Sequence, residues 1–349
     1  MSKSKSVNSM NTEFARLFET IKTDVADSSI GGAAGAEEKK DNKGPVTVAD
    51  YLISFGTALL IDRSFPSDHF VSEEEFDDAA IANLQQLLAG DSDLEARYTS
   101  LVNDFVDLRR RRPQMFKIDP DKRTWVIDPI DGTVNFIAGN PNHAASLARL
   151  APDPADGLFK AIAGCVVTDR NHEISINGET HQGCLVQFED GKVSIHARGA
   201  DEEWGCIAAD FKAPKAGPSR ICLRDSNSDG PNKLRPKLEP DYLETVEVES
   251  KWASSVTGLL EVLVGGQFSG YAGYMNVWDF CLIAPAIQAA TGRKETIRRL
   301  SDGSVMEGFT VDDLARAKRK AEGGLSISGA IGDVHVKAFA KALSPVAEA

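Results

Sequence analysis

The 349-residue sequence contains no apolar run that approaches the roughly 20 residues of a membrane-spanning helix. No membrane partner is therefore expected. No apolar stretch stands behind the lysines of Met1–Met10, so the expectation is a cytoplasmic protein without a secretory signal. Cysteine is scarce. The five residues Cys165, Cys184, Cys206, Cys222 and Cys281 are widely spread, and no Cys-x-x-Cys occurs. That pattern fits reduced thiols and argues against a disulfide scaffold or a thiolate zinc site. The six histidines form no His-x-x-x-His pair, and Gly-x-Ser-x-Gly is missing. Gly178 to Gly183 has the glycine spacing of a P-loop, but Cys184 stands where lysine is required. Positive charge is short as well: 39 Lys plus Arg against 52 Asp plus Glu, a net charge of −13. Such a chain lacks the cationic face that phosphate-backbone contact needs, so a nucleic-acid polymer is not an expected partner. Beyond solubility, the carboxylate surplus offers ligands for divalent cations.

What is present is an ordinary soluble composition, 42% hydrophobic and 26% charged, without internal repeats. Phe14, Leu17, Phe18, Ile21 and Val25 form one stripe of a helix over Asn11–Asp27. Ser28 to Gly44 is small and polar and reads as a flexible linker. Thr47 can cap a helix over Val48–Arg63. The short strand Phe70-Val71 runs into Glu73, Glu74 and Glu75. Asp77 to Arg112 is mainly helical, closes on the basic run Arg109–Arg112 and is stopped by Pro113.

The period then changes to two. Strands are expected from Thr124, over Ala144–Leu150, Lys160–Thr168, Glu173–Asn177, Cys184–Glu189 and Lys192–Ala197, with hairpin turns at Asn177-Gly178 and Asp190-Gly191. Asp201 to Gly217 reads as irregular, Arg220–Leu223 as a strand and Asp225–Pro240 as a polar loop. Thr245–Val248 and Gln267–Tyr271 are further strand candidates. Helices are expected over Ser254–Val264, ending at Gly265-Gly266, over Trp278–Ala290 and over Val334–Leu343. The class is α+β. Three segments follow: an N-terminal helix and linker (1–45), an α+β half with a helical insertion at 77–112 (46–205), and a C-terminal α/β half (206–349).

Four elements carry chemistry. Asp128-Pro129-Ile130-Asp131-Gly132-Thr133 follows a hydrophobic strand, and Gly132 permits a tight turn. Two carboxylates three apart around it can converge, and a divalent cation removes their repulsion. All-oxygen ligands suit Mg²⁺, Mn²⁺ or Ca²⁺ rather than zinc. A solvated turn is the plain alternative. Glu73-Glu74-Glu75 is otherwise a charged surface run, Trp278-Asp279 a helix start with a core Trp, and Thr47-x-x-Asp50 a cap with a dipole-favoured acid.

Together, in this order, the four resemble the inositol monophosphatase family, a group of metal-dependent, lithium-sensitive phosphomonoesterases. The resemblance spans about residues 46 to 292 and rests on Val46-Thr47-Val48-Ala49-Asp50, Phe65-Pro66-Ser67 to Glu74, Trp125–Phe136, Gly265-Gly266 and Trp278-Asp279. It implies a layered α-β-α-β-α sandwich with an antiparallel N-terminal sheet and a smaller mixed C-terminal sheet. It implies two or three Mg²⁺ ions, one held by Glu73, Asp128 and the Ile130 carbonyl, another by Asp128, Asp131 and Asp279. Thr133 and Asp50 would pair beside the attacking water, Glu74 would support the metal shell, and the Gly132 and Thr133 amides would bind phosphate oxygens. Ser254 and Ser255 would contact the substrate alcohol or, on the plainer reading, cap a helix. The implied substrate is inositol monophosphate or a similar polyol phosphate. The alternatives are a 3′(2′),5′-bisphosphate nucleotide, another sugar phosphate, or a non-catalytic relative that binds a phosphorylated ligand. Family members are often dimers; the sequence shows no interface of its own.

The departures are specific. Ser72 replaces the family's usual Gly, Glu73 and Asp128 are 55 positions apart, far more than in the short inositol monophosphatases, and Ala272 stands where an acid grips inositol hydroxyls. Arg109–Arg112 is either a solvated helix end or an attraction for a second phosphate.

Overall fold

The structure, a computed structural model, describes residues 6–30, 36–38, 45–199, 203–223, 235–249, 254–318 and 325–344. Most of the expected Ser28–Gly44 linker and of the 225–240 loop lies outside the described residues. Helix α1 (Val7–Ala26) is followed by the ribbon β1 (Ala36–Glu38) and β2 (Pro45–Thr47), by α2 (Val48–Ser64), by β3 (His69–Ser72) and by a helical hairpin, α3 (Asp78–Leu88) and α4 (Ser92–Arg111). Next come β4 (Thr124–Asp131), the short helix α5 (Thr133–Ile137), β5 (Ala144–Pro152), β6 (Phe159–Thr168), β7 (Glu173–Ile176), β8 (Glu179–Gln182), β9 (Cys184–Glu189), β10 (Lys192–Arg198) and β11 (Trp204–Ala208). The remainder holds β12 (Arg220–Leu223), α6 (Pro240–Thr245), β13 (Glu247–Glu249), α7 (Ser255–Val264), β14 (Gly270–Met275), α8 (Val277–Phe280) and α9 (Ile283–Thr291). It closes with β15 (Ile297–Arg299), α10 (Val311–Lys318), β16 (Leu325–Ala330) and α11 (Asp333–Leu343).

Two main sheets organise these elements. The seven-stranded sheet has the order β11-β10-β9-β6-β5-β4-β3, and the five-stranded sheet β13-β12-β14-β16-β15. The larger is antiparallel except at one edge, where β3 runs parallel to β4. The smaller is mixed: β12 pairs parallel with both β13 and β14. Helices α1 and α2 cover one face of the large sheet, α7 to α9 lie between the sheets, and α11 covers the outer face of the small one. This is the α-β-α-β-α layering expected. Strand β4 is buried at every position because helices cover both of its faces, which is why it reads as a continuous apolar run.

Local chemistry accounts for most boundaries. Thr47 and Asp50 form a reciprocal capping box at the start of α2. Asn177-Gly178 and Asp190-Gly191 both take positive φ, as two-residue hairpin turns require. The mainly helical 77–112 segment is divided into two helices, because the Asp91 side chain accepts from Asp93 and Leu94 amides (3.1 Å each) and starts α4 anew. Two expectations need correction. Trp278–Ala290 is also two helices: Pro285 has no N–H to give the Cys281 carbonyl, so one helix cannot run through. Trp204–Ala208 is an edge strand rather than irregular; its exposed residues carry no alternation to read.

The insertion hairpin packs against α2. Phe105 of α4 stacks on Phe55 of α2 with ring centroids 3.8 Å apart, and both are fully buried.

Candidate metal and phosphate site

The acids meet because β4 is irregular at its end. In a regular strand, side chains three apart point to opposite faces. Between Asp128 and Asp131 the pairing with β5 shifts register, from Asp128 opposite Ser146 to Asp131 opposite Ala144. The extra residue turns both carboxylates to one side. Gly132 then takes φ 87°, and a Cβ there would come within 3.0 Å of the Ser254 Cβ. Helix α8 brings the third acid: ligand oxygens of Asp128, Asp131 and Asp279 lie within 4.8 Å of one another, all buried. Glu73 arrives along the β3–β4 pairing, its amide donating to the Ile127 carbonyl (3.1 Å), and it shares a hydrogen bond with Asp128.

Each carboxylate is held by its own partners. Asp131 Oδ2 accepts from the Ser254 hydroxyl and from the Val256 amide (2.7 Å). Asp279 Oδ2 accepts from the Asn276 amide (2.9 Å). Asp50 Oδ2 accepts from the Thr47 amide (2.7 Å) and hydroxyl (2.6 Å). Glu74 is buried, and its amide donates to Ser72 Oγ (3.2 Å). Ser72 Oγ in turn lies 3.0 Å from Ser54 Oγ. The side chain that replaces the family's glycine is thus bonded into the turn that presents Glu73 and Glu74.

The electrostatics fit a divalent cation. Burial, then the charges of Glu73, Asp131 and Asp279, push the Asp128 carboxyl well above its ordinary range. Burial and the Glu74 charge push Asp50 up to about 8. Asp128 Oδ1 is buried with no hydrogen-bond partner. A convergent set of hard oxygen donors, with Asp128 unsatisfied at Oδ1 and destabilised as an anion, is what Mg²⁺ or Mn²⁺ would relieve. Glu73, Asp128, Asp131, Asp279 and the Ile130 carbonyl are the residues that would hold it.

The Thr133 hydroxyl donates to the Ile130 carbonyl (2.9 Å). Ser254 and Ser255 are both fully buried. The Ser254 hydroxyl caps α7, accepting from the Thr257 amide (3.2 Å), while it orients Asp131. Ala253 lies outside the described residues. The Arg109–Arg112 run is engaged as a helix end: Arg109 with Asp78, Arg110 with Asp107, Arg111 and Arg112 with Asp62. Arg109 also lines a cavity of about 300 Å³ with Phe70, Ser72, Phe76, Phe116 and Glu73 to Glu75. Ala272 is buried in β14. Sequence reasoning missed the Ser54–Ser72 bond, and it missed Asn142, whose Oδ1 accepts from the Thr257 hydroxyl (2.6 Å). Neither pairing leaves a spacing signal.

A 3′(2′),5′-bisphosphate nucleotidase 1 of Candida albicans (strain WO-1) is 29% identical over 173 residues, 46% of this chain and 45% of that protein. A 3′(2′),5′-bisphosphate nucleotidase 2 of Candida albicans (strain SC5314) is 28% identical over 250 residues, 68% of this chain and 63% of its own. The chain therefore matches less than two thirds of the length of these relatives. Among solved structures, an IMPase of Thermotoga maritima superposes with a TM-score of 0.56 at 14% identity, covering 96% of this chain and 94% of the other, which establishes the shared fold. The sequence profile described as the Inositol monophosphatase family matches residues 8–296, and the chain belongs to that family.

Proposed function

We propose that this chain is a Mg²⁺-dependent phosphomonoesterase that transfers the phosphoryl group of a small phosphorylated alcohol to water. The observation that carries the reading is the convergence of Asp128, Asp131 and Asp279 within 4.8 Å, with Glu73 bonded to Asp128. Divalent cations bound there would offset the ester's charge, lower the pKa of a water and steady the departing alkoxide. The chain's own residues set the geometry. Asp128 is bonded to Glu73 and converges with Asp131 and Asp279, so it would be the ligand shared by both groups of acids. Ser254 and Val256 fix Asp131 through Oδ2. Asp50, buried beside Glu74 and bonded to the Thr47 amide and hydroxyl, would in its ionised form accept the water's proton. The Gly132 and Thr133 amides, at the turn into α5, face the phosphate oxygens in this reading. Water adds to phosphorus, the ester P–O bond breaks, and the alcohol leaves with a proton.

The first substrate reading is inositol monophosphate or a similar polyol phosphate, supported by family membership and by the Thr133-Val134-Asn135-Phe136 form of the motif. A second reading, a 3′-phosphorylated nucleotide bisphosphate, is supported by two observations. Ala272 offers no carboxylate to polyol hydroxyls, and the inserted α3–α4 hairpin separates this chain from the short inositol monophosphatases. The names of the Candida albicans relatives point the same way. Phosphate release over inositol phosphates, 3′-phosphoadenosine 5′-phosphate and fructose 1,6-bisphosphate, with and without Mg²⁺, tests both. EDTA-insensitive release would contradict the mechanism.

A further inference from the structure

Asp131 is one end of a hydrogen-bonded path that leads away from the site. Ser254 Oγ donates to Asp131 and accepts from the Thr257 amide. The Thr257 hydroxyl donates to Asn142 Oδ1 (2.6 Å). The Asn142 carbonyl accepts from Asn135 Nδ2 (2.6 Å), on α5. That same carbonyl stands 3.1 Å from where a Cβ on Gly132 would be, so the glycine turn rests directly on it. One asparagine therefore touches α5, α7 and the turn between Asp131 and Thr133.

The residue after it is anchored from behind. His143 is buried, with Nδ1 2.9 Å from the Asn140 carbonyl and Nε2 3.3 Å from Asp169 Oδ2. Asp169 makes a buried ion pair with Lys22 of α1. Phe18 of α1 and Phe136 of α5 flank the imidazole, at centroid distances of 6.4 and 5.5 Å. Burial raises the Asp169 carboxyl, but the neighbouring His143 and the Lys22 charge outweigh it and hold the group low, so it remains a carboxylate. Burying two full charges is costly, and well-packed apolar residues at such positions often serve stability as well or better. What the ion pair does supply is register between α1 and the loop 140–143.

We propose that Asn142 is a positioning residue for the phosphate-binding turn, and that the buried Lys22–Asp169–His143 series braces it against helix α1. Helix α1 lies outside the sequence motifs described above, yet it is in this account a support of the site. The inference rests on the proposed phosphatase reading for its kinetic consequence, but not for its structural one.

Thr257→Val removes the hydroxyl that holds Asn142 and keeps the side-chain volume; Thr257→Ser keeps the hydroxyl. The Thr257→Val enzyme is expected to melt close to wild type yet lose about tenfold or more in kcat, since small misplacements near the reacting group cost up to about a hundredfold. Thr257→Ser recovers most of that loss. Replacing the ion pair as a unit, Lys22→Met with Asp169→Leu, avoids stranding one charge and is expected to lower kcat in the same direction. Hydrogen exchange in metal-free protein provides a readout without catalysis. Peptides over 132–143 should exchange several-fold faster in Thr257→Val and in the double variant, with β9 and β10 unchanged. Wild-type exchange over 132–143 in both variants would overturn the inference, even if no phosphate ester proved to be a substrate. A Thr257→Ser enzyme as impaired as Thr257→Val would overturn it too.

Discussion

Ser254 donates its hydroxyl to Asp131 Oδ2 from 123 positions further along the chain. The bond joins the acid at the end of the large sheet to the start of the helix that packs between the sheets. The Ser254 hydroxyl gives its one hydrogen to the carboxylate while it accepts from the Thr257 amide.

Ser254→Ala should therefore act on metal binding before it acts on substrate. Losing a partner that orients a ligand typically costs about 10- to 100-fold in metal affinity. Losing the cap adds about 1 kcal/mol of destabilisation. Titration calorimetry with Mg²⁺ and a urea melt measure the two effects separately. An unchanged Mg²⁺ affinity with a raised KM would return Ser254 to the substrate.

Protons should leave when the ion arrives. In the metal-free cluster, burial and then Glu73, Asp131 and Asp279 raise the Asp128 carboxyl, so it carries a proton at pH values where it is ordinarily ionised. A cation competes with that proton, and the apparent Mg²⁺ affinity should rise as pH rises above the ordinary carboxylate range. Calorimetry in two buffers of different ionisation heat counts the protons released. The expected count is above zero; no release would mean that the acids are already ionised.

Glu261 gives a pH dependence of stability away from the site. It is fully buried on α7, and burial raises its carboxyl from 4.5 to about 7, against a smaller opposing bond from the Gln267 amide. Between those values the folded state keeps a proton that the unfolded state releases. Stability therefore falls as pH rises from 4.5 to about 7, by about 3 kcal/mol for this group, and stays level above. Glu261→Gln should match wild type near pH 4.5 and exceed it by about 2–3 kcal/mol at pH 8. Denaturant melts at the two pH values check this.

The insertion hairpin is docked by aromatic packing rather than by its charges. Phe105→Ala should destabilise by about 3–5 kcal/mol, because the ring stacked on Phe55 is wholly buried. Arg110→Ala, at an exposed pair with 3.8 Å between charged atoms, should change stability by less than about 0.5 kcal/mol. Urea denaturation of both variants compares them.

Much of this site could be read from the chain because its key residues sit next to strong local signals. Thr47 and Asp50 announce a capping box, and Asp128 to Thr133 couples a hydrophobic strand to an obligatory turn glycine. The layered α+β class followed from helical and strand periods in the same way. What could not be read depends on distant pairing. The register shift that aims Asp128 and Asp131 together arises against β5, not within β4. Pro285, which splits the expected helix after Trp278, was legible and overlooked. Strand β11 pairs at the sheet edge with an exposed Gly205-Cys206-Ile207 centre, and so has no buried face to impose a period. The bonds of Ser72 with Ser54, and of Asn142 with Thr257, join residues 18 and 115 positions apart, where sequence spacing carries no information.

The central claim is that these acids jointly cage divalent ions, and anomalous diffraction from crystals soaked in Mn²⁺ tests it most directly. The account predicts one peak within coordination distance of Asp128, Asp131 and Asp279 and a second between Glu73 and Asp128. Crystals saturated with Mn²⁺ that show no peak at these carboxylates would contradict it.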